Sequence, residues 1–134
     1  MKILLNLTPH VVNVYKENKK ILTIESHGSL RLIESEDIKG SFKNIPLIQG
    51  DFKDVGIIIE KLPKILEGKE TIVIVSLPVL LEFKRNRSLI EKAKKLLMHR
   101  GLKPIMFVSP HTGEKYVVRN DRGQIIGTKA FKTI

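Results

Sequence analysis

Thr71-Ile72-Val73-Ile74-Val75, followed at once by Ser76-Leu77-Pro78, is an unbroken run of apolar and β-branched residues that ends in a helix-start signal. A strand with one wet face alternates, whereas a strand without alternation has both faces covered, so this run predicts a central strand. Ser76 stands where an N-cap belongs and Pro78 fits the first helical turn, which sets a helix over about 77–85 with Val79, Leu80 and Phe83 available to the core. Ser88-Leu89-Ile90-Glu91 has the serine-to-glutamate spacing of a capping box, and Leu89, Ile90, Ala93, Leu96 and Leu97 share one helical face. Gly101 supplies the stop and Pro104 prevents continuation, giving a second helix over about 89–100.

Outward from this centre the chain reads as strands. On the N-terminal side, residues 2–6, 11–15, 21–24 and 30–33 are short apolar or β-branched runs, with Lys16-Glu17-Asn18-Lys19 and Ser26-His27-Gly28 as turns, so the first third predicts a small meander. Residues 34–56 mix acids, lysines and three glycines, which predicts loops around one edge strand at Ile45-Pro46-Leu47-Ile48. Ile57-Ile58-Ile59 is read as a short strand, and Leu62-Pro63 through Gly68 as a turn into the central strand. On the C-terminal side, Ile105–Val108 is a strand, and Tyr116–Arg119 pairs with Gln124–Gly127 through Asn120-Asp121-Arg122-Gly123 as a hairpin. The sum is an α+β fold, a mainly antiparallel β-sheet with two helices, in a single domain covering residues 1–134.

The chain carries 24 basic and 14 acidic residues, and their distribution is uneven. Residues 1–67 hold 10 basic and 9 acidic side chains, against 14 and 5 in residues 68–134. Such a field attracts phosphates of nucleotides or nucleic acid, although solubility alone also accounts for surface lysines. No cysteine is present, so disulfides and thiolate metal sites are excluded. The apolar run at the N-terminus is too short for a signal peptide or a spanning helix, which predicts a cytoplasmic protein with no membrane partner.

Known chemical motifs fail. Gly68-Lys69 precedes a strand rather than a helix, the dinucleotide glycine spacing is absent, and His10, His27, His99 and His111 show no metal-ligand spacing. No metal or cofactor is therefore expected, and no catalytic residue is assigned. The informative residues are basic and sit on turns. Arg85-Asn86-Arg87 lies between the two helices, and Arg119-Asn120-Asp121-Arg122 lies on the last hairpin. Arginine forks match phosphate oxygens in pairs, and asparagine reads a ribose hydroxyl or base edge, although Asn120 also suits the turn itself. Phe83 could stack on a base or belong to the core. Lys92, Lys94, Lys95, Arg100 and Lys103 line the helix 89–100 either as a nucleic-acid track or as a solvated face.

Several segments together resemble a widespread family of small phage and prophage proteins. They are Asn6-Leu7-Thr8-Pro9-His10, Ser26-His27-Gly28-Ser29-Leu30-Arg31, Ile45-Pro46-Leu47, Leu62-Pro63, Thr71 to Ser76, Val118-Arg119-Asn120 and Gly123 to Gly127. That family is similar to phage anti-defence sponges of the Thoeris-inhibiting kind, which sequester cyclic ADP-ribose isomers and other cyclic nucleotides without cleaving them. The resemblance implies a homo-oligomer in the host cytoplasm with ligand pockets near subunit contacts. It favours Arg119, Asn120, Arg122 and the segment Phe83 to Arg87 as pocket residues, with Arg31, Ser76 and His10 completing the candidate set. This chain departs from relatives in its lysine-rich helix and in Glu25, which stands where a proline is usual before Ser26. Two other readings remain: a nucleic-acid-binding viral accessory protein, and a phosphodiesterase or nuclease using His10 or His111 as general base.

Overall fold

A computed structural model describes residues 2–62 and 68–134. In chain order the elements are β1 (Ile3–Asn6), β2 (Val12–Lys16), β3 (Lys19–Ile24), β4 (Gly28–Phe42), β5 (Ile45–Ile59) and β6 (Glu70–Ile74). They continue with α1 (Leu77–Arg85), α2 (Ser88–Met98), β7 (Lys103–Pro110), β8 (Val117–Arg119), β9 (Ile125–Thr128) and β10 (Phe131–Thr133). The turn expected between Leu62 and Gly68 has its centre, 63–67, outside the described residues.

The strands form three sheets, ordered β1-β6-β7-β10, β3-β2-β9-β8 and β4-β5. The α+β class holds, with antiparallel pairings in a small majority over parallel ones. The apolar run at 71–75 is central, as its lack of alternation requires: β6 lies between β1 and β7, parallel to both. Its two faces serve two cores. Val73 and Val75 pack with Leu80, Phe83, Leu89, Ala93 and Leu97 of the helices. Ile72 and Ile74 pack with Val12 and Ile24 of the second sheet. The molecule is thus layered as helices, central sheet and second sheet, with the Phe83 ring set edge-on against Phe107 at 5.1 Å.

The expected N-terminal meander is corrected. β1 leaves β2 and joins the central sheet beside β6. Leu5 and Asn6 are fully buried, and a strand buried on both faces belongs in a covered sheet rather than in an open hairpin ladder. Val12–Lys16 and Lys19–Ile24 do form the expected hairpin, turned at Glu17 with φ of 57°.

The second correction is larger. Residues 34–56 are not loops around an edge strand, because β4 and β5 make one antiparallel ribbon of 15-residue strands. The two-residue turn Lys43-Asn44 closes it with φ of 48° and 64°, the left-handed pair that matches the twist of a tight hairpin. The ribbon's base packs on the main core through Leu30, Leu32, Val55 and Ile57.

Both helices form where expected, but their starts differ. Ser76 occupies the N-cap of α1 without a side-chain hydrogen bond, and Ser88 lies inside α2 rather than capping it, so the capping box does not form. Asn86 acts instead: its Oδ1 accepts from the Ser88 backbone N–H at 3.3 Å and from the Ser88 hydroxyl at 2.7 Å. Gly101, at φ of 81°, ends the second helix as predicted. No helix among the described residues is long and apolar enough to cross a membrane.

Candidate functional site

The motif Asn6-Leu7-Thr8-Pro9-His10 is a structural knot at the carboxyl end of β1. Asn6 is fully buried, and its Nδ2 donates to the carbonyls of His10 and Ile24 at 2.8 and 3.1 Å. Its Oδ1 accepts from the Thr8 N–H and hydroxyl at 3.0 and 2.7 Å. Ser26 joins by donating its hydroxyl to the Thr8 carbonyl at 2.6 Å, and the Asn6 N–H donates to His27 Nδ1 at 3.0 Å. Partial burial therefore lowers the His27 pKa from its ordinary value, against a weaker raising influence from Glu25. His10 contributes its backbone carbonyl to this knot, while the residue itself is exposed.

The remaining candidates fall into two groups in different layers. Arg85, Asn86 and Arg87 lie at the α1–α2 junction, on the helical face of the central sheet. Arg119, Asn120 and Arg122 lie on the β8–β9 hairpin of the second sheet, which covers the opposite face. Among the described residues the two basic groups thus lie on opposite sides of the central sheet. Arg31 is exposed on β4 opposite Gly56, and Ser76 is half-buried where β6 meets α1.

Most of these side chains already have protein partners. Phe83 is fully buried, so of its two readings the core one holds and its place among the ligand-binding candidates is corrected: the ring offers no face to a ligand. Arg85 pairs with Glu82 and, at 3.0 Å, with Asp51, and these carboxylates hold its pKa above the ordinary value. Arg119 is tied to Glu114 and to the Gly123 carbonyl, each at 2.7 Å. Asn120 builds its own turn, its Oδ1 accepting from the N–H groups of Arg122 and Gln124 at 3.0 Å. His111 tilts against the Tyr116 ring at 4.4 Å and accepts from the Gly113 N–H through Nδ1.

Arg87 is different. It is exposed, makes no ion pair among the described residues, and lines a groove of about 240 Å³ between α2 and the β7–β10 edge. Lys94 stands on the same wall, held only loosely by Glu91 at 3.8 Å. The floor is apolar, from Ile90, Ile105 and Met106, and Thr133 of β10 adds a hydroxyl that bonds the Phe107 carbonyl at 3.3 Å. The arrangement suits an anionic group at the cations and a flat apolar group on the floor. Helical spacing places Arg87 and Lys94 seven residues apart on one face, a signal present in the sequence, whereas Thr133 reaches the groove only through the sheet. A smaller pocket, about 100 Å³, lies where His111 and Thr112 meet Val12, Ile125 and Gly127. No family model, curated protein or solved structure matches the chain.

Proposed function

We propose that this chain binds a small phosphorylated nucleotide in the groove between α2 and the β7–β10 edge and holds it without cleaving it, as a phage or prophage anti-defence protein would. A cyclic ADP-ribose isomer or cyclic oligonucleotide has the required features, several phosphates and flat bases. The observation that carries the reading is Arg87, a guanidinium with no ion pair among the described residues, on an apolar-floored groove whose other cation is Lys94. Arginine and lysine neutralise phosphate, and Ile105 and Met106 take the base or ribose.

The test is to purify the protein from cells that make nucleotide signals, denature it, and identify what is released by mass spectrometry. An intact cyclic nucleotide in near-stoichiometric amount is expected. Arg87→Ala should weaken rebinding about ten- to hundredfold, the loss of a charge-assisted contact, while Arg122→Ala leaves it within about twofold. Release of a hydrolysed product, or affinity insensitive to Arg87, would overturn the reading.

A further inference from the structure

The base of the β4–β5 ribbon is sewn to the end of β1 by backbone bonds. The His27 N–H donates to the Asn6 carbonyl at 2.8 Å, and the Leu30 N–H to the Leu7 carbonyl at 3.1 Å. On the other side of the same seam the His27 carbonyl accepts from the Glu60 N–H at 2.9 Å, just past the end of β5. The fit is tight, since a Cβ on Gly28 would lie 2.0 Å from the Ile58 carbonyl oxygen. One donor of the seam is satisfied by a side chain instead. The Asn6 N–H goes to Nδ1 of the half-buried His27 ring at 3.0 Å.

That bond fixes where a proton can go. A backbone N–H only donates, so Nδ1 presents its lone pair and the ring's own hydrogen sits on Nε2. A neutral imidazole has one basic nitrogen, and here Asn6 already occupies it. Protonation therefore sets N–H against N–H and removes the bond. Neighbouring charge does not compensate. The titratable residues on the adjoining described segments are His10, Glu25, Arg31, Glu60 and Lys61, all exposed, and β1 brings none between Ile3 and Asn6. Of these, only Glu25 acts on the ring to favour its charged form, and burial outweighs it.

We propose that His27 is an acid-operated latch, which ties the ribbon base to β1 when neutral and releases it when protonated. The release is local. Leu32, Val55 and Ile57 still seat the ribbon on the main core, and Arg85 still holds Asp51 from the helix side, none of them through the ring. What opens is the seam from Asn6 to Leu30, and the ribbon can then tilt away from β1 on its remaining anchors. The open seam carries a ring of ordinary pKa, 6.5, and the closed seam a ring of lower pKa. The latch is thus complete above pH 6.5 and is lost as pH falls through the closed-state value, with opening up to about tenfold easier per pH unit in that window. It shares no residue with the ligand groove, so it stands or falls separately from the nucleotide reading.

NMR on the full chain between about pH 7.5 and 5 tests it. At the upper end the His27 ring nitrogen shifts should show a bare Nδ1 and a protonated Nε2. As the ring titrates, exchange of the Asn6, Leu30 and Glu60 amides, corrected for its intrinsic pH dependence, should accelerate in step with it. The amides of Val73 and Val75 should stay protected throughout. His27→Asn keeps an acceptor for the Asn6 N–H but takes no proton, so its seam should remain closed at pH 5. Seam exchange that stays constant while the ring titrates, or that accelerates equally in His27→Asn, overturns the latch. Loss of protection at Val73 and Val75 together with the seam overturns it too, because the event is then global unfolding. Should His27→Asn misfold, the wild-type comparison of ring, seam and core decides alone.

Discussion

Asn6 fills all four of its side-chain hydrogen-bonding positions inside the protein, and its surroundings are as dependent on it as it is on them. Asn6→Ala leaves the buried Ile24 carbonyl and the Thr8 N–H without their Asn6 partners, while the Thr8 hydroxyl keeps its bond to the His10 carbonyl at 3.1 Å, so it should cost roughly 2–4 kcal/mol by urea unfolding. A loss under about 1 kcal/mol would mean that water replaces the side chain without penalty. His27, next in the same knot, gives a pH signature. Its folded pKa lies below the ordinary 6.5, so the unfolded chain binds the extra proton first. The contribution is complete above pH 6.5 and is lost as pH falls through the lowered folded value. Thermal melts from pH 7 downward should show this slope, and His27→Asn, whose Oδ1 can accept the same Asn6 N–H, should flatten it. An unchanged slope would assign the acid sensitivity to other groups.

At the scale of elements, the helix junction separates two accounts of how α2 starts. The sequence spacing makes Ser88 the cap, whereas the hydrogen bonds make it Asn86. Asn86→Ala should therefore cost about 1 kcal/mol and Ser88→Ala clearly less, measured by chemical denaturation; the reverse order would restore the capping box. The helices and β6 were legible because their burial is local and periodic: a 3.6-residue face in α2, an unbroken run in β6. The β4–β5 ribbon was not, because its distal strands are covered on neither face and so leave no period-two pattern. Its closing turn uses Lys43-Asn44 rather than the glycine-bearing pair that announces such hairpins. At the candidate site the same division holds. The Glu82 to Arg85 pairing follows helical spacing, but Asp51, which completes it, arrives from 34 residues away on the ribbon.

For the whole molecule, the decisive fact is that the C-terminal excess of positive charge is split by the layers. A backbone binder would gather the exposed lysines of α2 into one track, yet Lys92 already donates to the Lys53 carbonyl at the ribbon's base and Lys94 turns towards the groove. The cations free to act on one ligand are thus few, and salt dependence should reveal their number. A protein that neutralises 6–10 nucleic-acid phosphates loses about 10³–10⁵ in affinity between 50 and 200 mM salt. A groove built on Arg87 and Lys94 meets about two phosphates of a small ligand that carries no condensed counterion atmosphere, so its affinity should fall by about tenfold or less over that range. Calorimetric titration of the released nucleotide across the salt series measures this slope directly. In Arg87→Ala it should fall by about one charge, while Lys95→Ala leaves it unchanged. A steep slope that weakens by equal steps at each lysine would instead make the α2 surface a nucleic-acid track, with the groove incidental to it.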